Sequence, residues 1–222
     1  MKTGLREKFL IPTLLLILMG TSLTATISFF NSKRTLHSQI NAQLQQNVQS
    51  TLEYIVSWVE NRKQDIILWS QQSSTAQAIG MTSSTGSEDT GSVLLARELN
   101  DNLKSYKKAH PYFEEIAAAK AEGDILTSSN VEVSNAIVGN NIKERDFFRE
   151  AIKGNVFISD VRISETSGKP VMIIAAPVKA AETVIGVLYG VVDLPYFTKK
   201  FVEPIKICLL YTSDAADDLL CV

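Results

Sequence analysis

The chain has 222 residues, 45% of them hydrophobic, with 22 basic and 24 acidic side chains, a formal charge of −2 and two cysteines. That length suffices for one or two domains with a real core. The near-neutral balance argues against a nucleic-acid partner, and no cysteine pair stands at metal-ligand or disulfide-framework spacing.

Met1–Lys8 is short and basic. Phe9–Phe30 follows without a charge and rich in Leu and Ile. Some 22 residues can cross a hydrocarbon core of about 30 Å. Pro12 sits near the start, where a helix tolerates it. The run is long for a cleaved signal peptide and lacks a clean small-x-small cleavage site, so an uncleaved anchor is expected. Basic residues flank both ends (Lys33 and Arg34 after it), so charge bias does not orient it.

From Asn31 to about Ile79 there is neither proline nor glycine. Leu36, Ile40, Leu44, Val48, Leu52, Ile55, Val59 and Ile66 recur at helical spacing, which predicts one stalk helix over residues 31–80. At 1.5 Å per residue it would reach roughly 65–70 Å, further than one small domain. Trp58 and Trp69 on it are read as packing residues. Thr82–Ser92 is polar and glycine-bearing, hence a loop. Val93–His110 carries Leu95, Leu99, Leu103 and Tyr106 on one stripe and ends at Pro111. His37 and His110 are isolated and read as solvated.

Tyr112–Lys120 reads as a strand, turned at Glu122-Gly123-Asp124 into Ile125–Ser128. Glu114 and Glu115 are read there as a solvated strand edge, facing opposite sides and unfit for shared acid–base work. Asn130–Lys143 is irregular. A short helix, Arg145–Lys153, is stopped by Gly154. Three β-prone runs follow, Val156–Ser164, Pro170–Val178 and Thr183–Leu194, separated by short turns that favour antiparallel neighbours. In the first, Phe157, Val161 and Ile163 alternate with Asp160, Arg162 and Ser164. The other two are apolar on both sides and must be covered on both faces. These elements make an α+β fold, a five-stranded antiparallel sheet on long helices.

No glycine-rich phosphate loop, G-x-S-x-G, H-E-x-x-H or Cys–His pair is present, so no enzymatic activity, cofactor or metal is expected. A guanidinium such as Arg145, beside the apolar Phe147 and Phe148, can instead take a planar carboxylate through two parallel hydrogen bonds.

The order R-x-F-F-x-x-A-x-x-G (from Arg145), I-S-D-V, S-G-K-P, A-A-P-V and I-G-V-L-x-G-V-V-D-L (from Ile185) resembles the ligand-binding module of double Cache sensor domains, the PAS-like extracytoplasmic domains of bacterial chemoreceptors and sensor kinases. The weaker similarity runs from about Asn31 to Ile207. It implies a membrane-distal module at 92–194, a connection at 195–207 to a second module, and a larger receptor of which this is an amino-terminal fragment. It places the anchor in the inner membrane, residues 1–8 in the cytoplasm and residues 31–207 outside, in a homodimer joined through the stalk. The function implied is small-molecule sensing, in a chemotaxis receptor before a histidine kinase or a cyclic-dinucleotide enzyme; the alternative is a structural or protein-binding ectodomain. In the amino-acid-binding subset an arginine of this helix holds the ligand carboxylate and an aspartate ending the last strand takes the amine. Arg145 and Asp193 fall on those positions, with Phe147, Phe148, Asp160, Arg162 and Tyr189 as further contacts. The subset has Trp-Tyr where this chain has Phe147-Phe148, and tyrosine where it has Asn140. The final stretch, 208–222 (CLLYTSDAADDLLCV), resembles translated sequencing adapter and is expected to be non-native. Without it Asp214, Asp217, Asp218 and both cysteines leave the composition.

Overall fold

The computed structural model describes residues 5–84, 90–130 and 140–203. The expectations for His37 as a side chain, for the adapter-like tail and for most of 130–143 fall outside the described residues. The chain divides into two compact units, Met1–Trp58 and Val59–Val222. The described residues of the first are helical throughout, part of α1 (Leu5–Ser70). Its stretch Leu14–Lys33 is long and apolar enough to cross a membrane.

The expected continuous helix to about Ile79 is interrupted. α1 stops at Ser70 and α2 (Ser73–Ser84) begins after Gln71-Gln72. The cause is a cluster of hydroxyls rather than a proline or glycine. Thr75 Oγ1 donates to the Trp69 carbonyl (3.0 Å) and Ser70 Oγ to that of Ile67 (2.8 Å), local bonds that compete with helical ones. α3 (Thr90–Ala109) then leads to Pro111. Trp58 and Trp69 are buried, as expected of packing residues. His110 is not solvated. Its Nδ1 meets the Tyr112 hydroxyl and its ring lies 5.2 Å from Trp69, within a cluster that includes Tyr106 and Phe113.

The second unit is a mixed helix–sheet fold. Its strands are β1 (Phe113–Lys120), β2 (Ile125–Ser128), β3 (Phe157–Ile158), β4 (Arg162–Ile163), β5 (Pro170–Ala180) and β6 (Thr183–Asp193). All pair antiparallel, in the order β2-β1-β6-β5-β3, with β4 also on β5. The first β-prone run is thus two short strands rather than one. Ser159 breaks it: its hydroxyl donates to the neighbouring Asp160 carbonyl and accepts from the Ile173 amide. Over residues 161–164 the alternation persists but is inverted, with Val161 and Ile163 exposed and Arg162 and Ser164 half-buried.

Both faces of β5 and β6 are covered, as their two-sided apolar character requires. On one face Ile116, Ile174, Leu188 and Val192 are fully buried, and Ile66 and Ile79 approach the backbone at Gly190 and Gly186. On the other, the short helix α4 (Asp146–Ile152) lays Phe147, Phe148 and Ala151 into a cluster with Ala117, Val187 and Tyr189. α4 ends where the sequence indicates: Gly154 has φ +96°, the left-handed conformation that glycine adopts without strain.

A cavity between the sheet and the short helix

The α4 side of the sheet holds a cavity of about 370 Å³, its walls drawn from β1, β5, β6, the start of α4 and the segment 162–166. Arg145 is the residue immediately before α4 and stands at its mouth. Both of its terminal nitrogens donate to Glu165, Nη1 to Oε1 at 2.8 Å and Nη2 to Oε2 at 2.7 Å. That bidentate bond raises the guanidinium's proton affinity and holds the Glu165 carboxyl below the usual carboxylate range. Both side chains are largely exposed, so the pair is worth only about 0–1 kcal/mol. A second fork lies beside it: Arg162 donates to Asp146 at 3.2 and 2.7 Å, which lowers the Asp146 carboxyl.

The segment 164–169 is tied down across this opening. Ser164 and Ser167 donate to the two oxygens of Glu114 at 2.9 and 2.8 Å. Phe147 and Tyr189 supply aromatic walls, their ring centroids 5.1 Å apart. The Tyr189 phenol is buried, which pushes its pKa up; Glu115 adds to that shift and Arg145 opposes it. Both charges therefore act on the same hydroxyl.

The residues singled out from sequence divide into two groups. Arg145, Phe147, Arg162 and Tyr189 line the cavity. Phe148, Asp160 and Asp193 are not in its lining. Phe148 is buried in the core cluster beneath α4, and Asp160 is exposed. Asp193 shares the sheet face of Tyr189 and Val191 by strand alternation. Its two oxygens are engaged elsewhere: Oδ1 accepts from the Tyr196 amide (2.9 Å), capping α5 (Leu194–Phe197), and Oδ2 accepts from Lys169 Nζ (3.0 Å).

The sequence reading missed Glu115. It is not on a solvated edge: β1 lies inside the sheet, and Glu115 is 7% exposed in the cavity wall. From Glu115 to Lys120 the β1–β6 register is regular and puts Glu115 on the face of Ala117 and Ala119, opposite Tyr189 and Val191; the irregularity lies just before it. Phe113 pairs with Val192 and Glu115 with Val191, so β1 carries one extra residue. Such a bulge reverses the facing of what precedes it. Phe113 turns towards Ile66 and Trp69, and Glu115, two residues on, turns towards Tyr189 and Val191. Oε1 of Glu115 accepts from Ser128 Oγ at 2.7 Å. Burial raises its carboxyl pKa, against the lowering effect of that bond. An acidic residue in an alanine-rich strand beside a serine-rich one was the signal available, but it does not reveal that β1 is an inner strand with a cavity on this face.

Comparison with known proteins gives a family and a fold. A family model described as Cache domain matches residues 32–215. A Bacillus thuringiensis protein named as a probable methyl-accepting chemotaxis protein is 22% identical over 188 residues, which is 84% of this chain and 26% of the relative. The chain therefore spans about a quarter of that relative's length. Among solved structures, the sensor domain of the Vibrio cholerae histidine kinase DctB aligns with TM-score 0.61 at 18% identity, over 73% of this chain and 59% of that one. The sensory domain of the Campylobacter jejuni chemoreceptor Tlp3 aligns with TM-score 0.57 at 13% identity, over 75% and 64%. Its form with isoleucine bound gives 0.55 at 13%, over 75% and 62%. At such identities the likeness establishes the fold.

Proposed function

The chain belongs to the Cache domain family, and from that premise we propose that it is the extracytoplasmic, ligand-sensing part of a transmembrane receptor, of the chemotaxis type, for a small carboxylate-bearing molecule. The observation that carries this reading is the cavity beside α4 with the Arg145 fork at its mouth. At about 370 Å³ it is at the small end of ligand pockets. Arg145 already grips a carboxylate, that of Glu165, with the geometry a ligand carboxylate would use. Because the pair is exposed and weak, an incoming anion can take Glu165's place at little cost. Phe147 and Tyr189 exclude water on the inner side, which strengthens the contact. Tlp3, whose sensory domain has this fold, has been solved with isoleucine and with L-valine. Small amino acids and their carboxylate analogues are therefore the first compounds to test.

The test is calorimetry on the full chain in detergent micelles, with Arg145→Ala beside the parent. Loss of one charge-assisted contact is expected to weaken carboxylate binding by roughly 1.5–3 kcal/mol, about ten- to more than a hundred-fold. Arg145 is exposed and is not one of the core residues, so the variant should melt near the parent temperature. Equal affinity in the two proteins would remove Arg145 from the site.

In this proposal Leu14–Lys33 anchors the chain in the inner membrane, with the amino terminus in the cytoplasm and the sensor outside. Val48, Leu52 and Val56, exposed and four residues apart on α1, support a homodimer joined through the stalk. When expressed in a bacterium, the chain should sediment with membranes and keep its first residues. A soluble product beginning after about Ala25 would contradict the anchor.

A further inference from the structure

The charges around the cavity are unequally matched. At the mouth, Arg145 is paired with Glu165 and Arg162 with Asp146. In the wall, Glu115 has no ion-pair partner among the described residues: it accepts from the neutral Ser128 hydroxyl, and Lys107 lowers its carboxyl pKa only as a charge that does not bond it. A carboxylic residue only 7% exposed that lacks an ion-pair partner is costly to a fold in its charged form unless something completes it. Strand alternation puts this group on the cavity face of β1, with Ala117 and Ala119 and opposite Tyr189 and Val191, away from the core behind the sheet.

We propose that Glu115 is the cation-receiving group of the cavity, so that the ligand presents an ammonium to β1 and its carboxylate to Arg145. This rests on the reading of the cavity as a ligand site given above. Tyr189 lines the same cavity as both charged groups, and both act on its phenol. Arg145 and Glu115 thus border one cavity of about 370 Å³, which a small molecule bearing both groups would share with them. Asp193 is less well placed for the amine, because Lys169 and the Tyr196 amide occupy its two oxygens. Burial of Glu115 favours uptake of positive charge in either form, a proton when the cavity is empty or a ligand ammonium when it is filled.

The experiment uses the full chain in detergent micelles and calorimetry with matched probes: the standard L-amino acids, the same skeletons without the amine (L-valine against 3-methylbutanoate) and without the carboxylate (isobutylamine). The parent should prefer at least one amino acid over its des-amino counterpart by about tenfold or more. Glu115→Gln, which keeps the shape and can still accept from Ser128, should abolish that preference and leave the des-amino probe within about threefold. Glu115→Asp, which keeps the charge, should retain a reduced preference, something a merely structural role would not produce. A parent that binds des-amino acids as tightly as amino acids overturns the proposal. So does a Gln variant that keeps the preference or weakens both probes alike. If Glu115→Gln behaves as expected but Arg145→Ala changes nothing, the carboxylate assignment fails and the cation assignment stands. If none of the probes binds the parent, both fall.

Discussion

Phe148→Ala should destabilise the sensor unit by about 3–5 kcal/mol, the largest effect expected of any single substitution considered. Phe148 is 1% exposed and sits under α4, among Phe147, Ala151 and the apolar side chains of β5 and β6. α4 has only seven residues, too few to hold a helical conformation without packing. Removing the ring leaves a void that a short helix between two loops fills poorly, and the position of Arg145 at its first turn is lost with it. Denaturant titration of the detergent-solubilised chain measures the cost. A loss below about 1 kcal/mol would show that α4 is held by something other than this side chain.

Gly186→Ala comes next, with an expected cost at or above the upper end of about 1–3 kcal/mol. A β-carbon at this position would lie inside van der Waals contact of the Ala119 carbonyl oxygen and 2.9 Å from Ile79 Cγ2. The first of these neighbours is backbone of the paired strand and cannot rotate away. Gly190 differs in kind: a methyl there would meet the rings and ends of side chains, Phe113 and Ile66, which can give. Gly190→Ala is therefore the matched control. Equal melting temperatures for the parent and Gly186→Ala would refute the steric account.

These two glycines show what the sequence conveyed and what it withheld. The pattern Ile185-Gly186-Val187-Leu188-Tyr189-Gly190 told of a strand apolar on both faces, and the structure buries it on both. Composition, apolar periodicity and turn chemistry act locally, so the helices, the hairpin of β5 and β6, the Gly154 stop and the membrane-compatible segment could all be read from them. The failures have local causes too subtle for a periodicity. Hydroxyls of Ser70 and Thr75 broke a helix that contains no breaker. The Ser159 hydroxyl, bonded within its own strand neighbourhood, split one expected strand into β3 and β4. Glu115 is the exception, a matter of sheet order: β1 pairs on both sides, with β2 and β6, so the face that carries Glu115 meets the cavity rather than solvent. This last one mattered most, because a strand's place in the sheet decides whether its second face meets solvent or another layer. In the site, Arg145 and Tyr189 were reached through family resemblance and do line the cavity. Glu115 could be found only in three dimensions.

The pairing of β1 with β6 also governs how the unit assembles. β1 with β2, and β5 with β6, are hairpins of close sequence neighbours. Such pairs close on the microsecond scale. The seam between them brings Ile116 against Gly190, across roughly seventy residues of chain, and the entropy of closing that loop is met only when the seam zips. Glu115 belongs to one hairpin, and Tyr189 and Val191 to the other. The cavity wall is thus the last part of the sheet to exist during folding and the first to be lost if the seam opens. A molecule bridging the wall acts as a clasp across the slowest-formed joint of the protein.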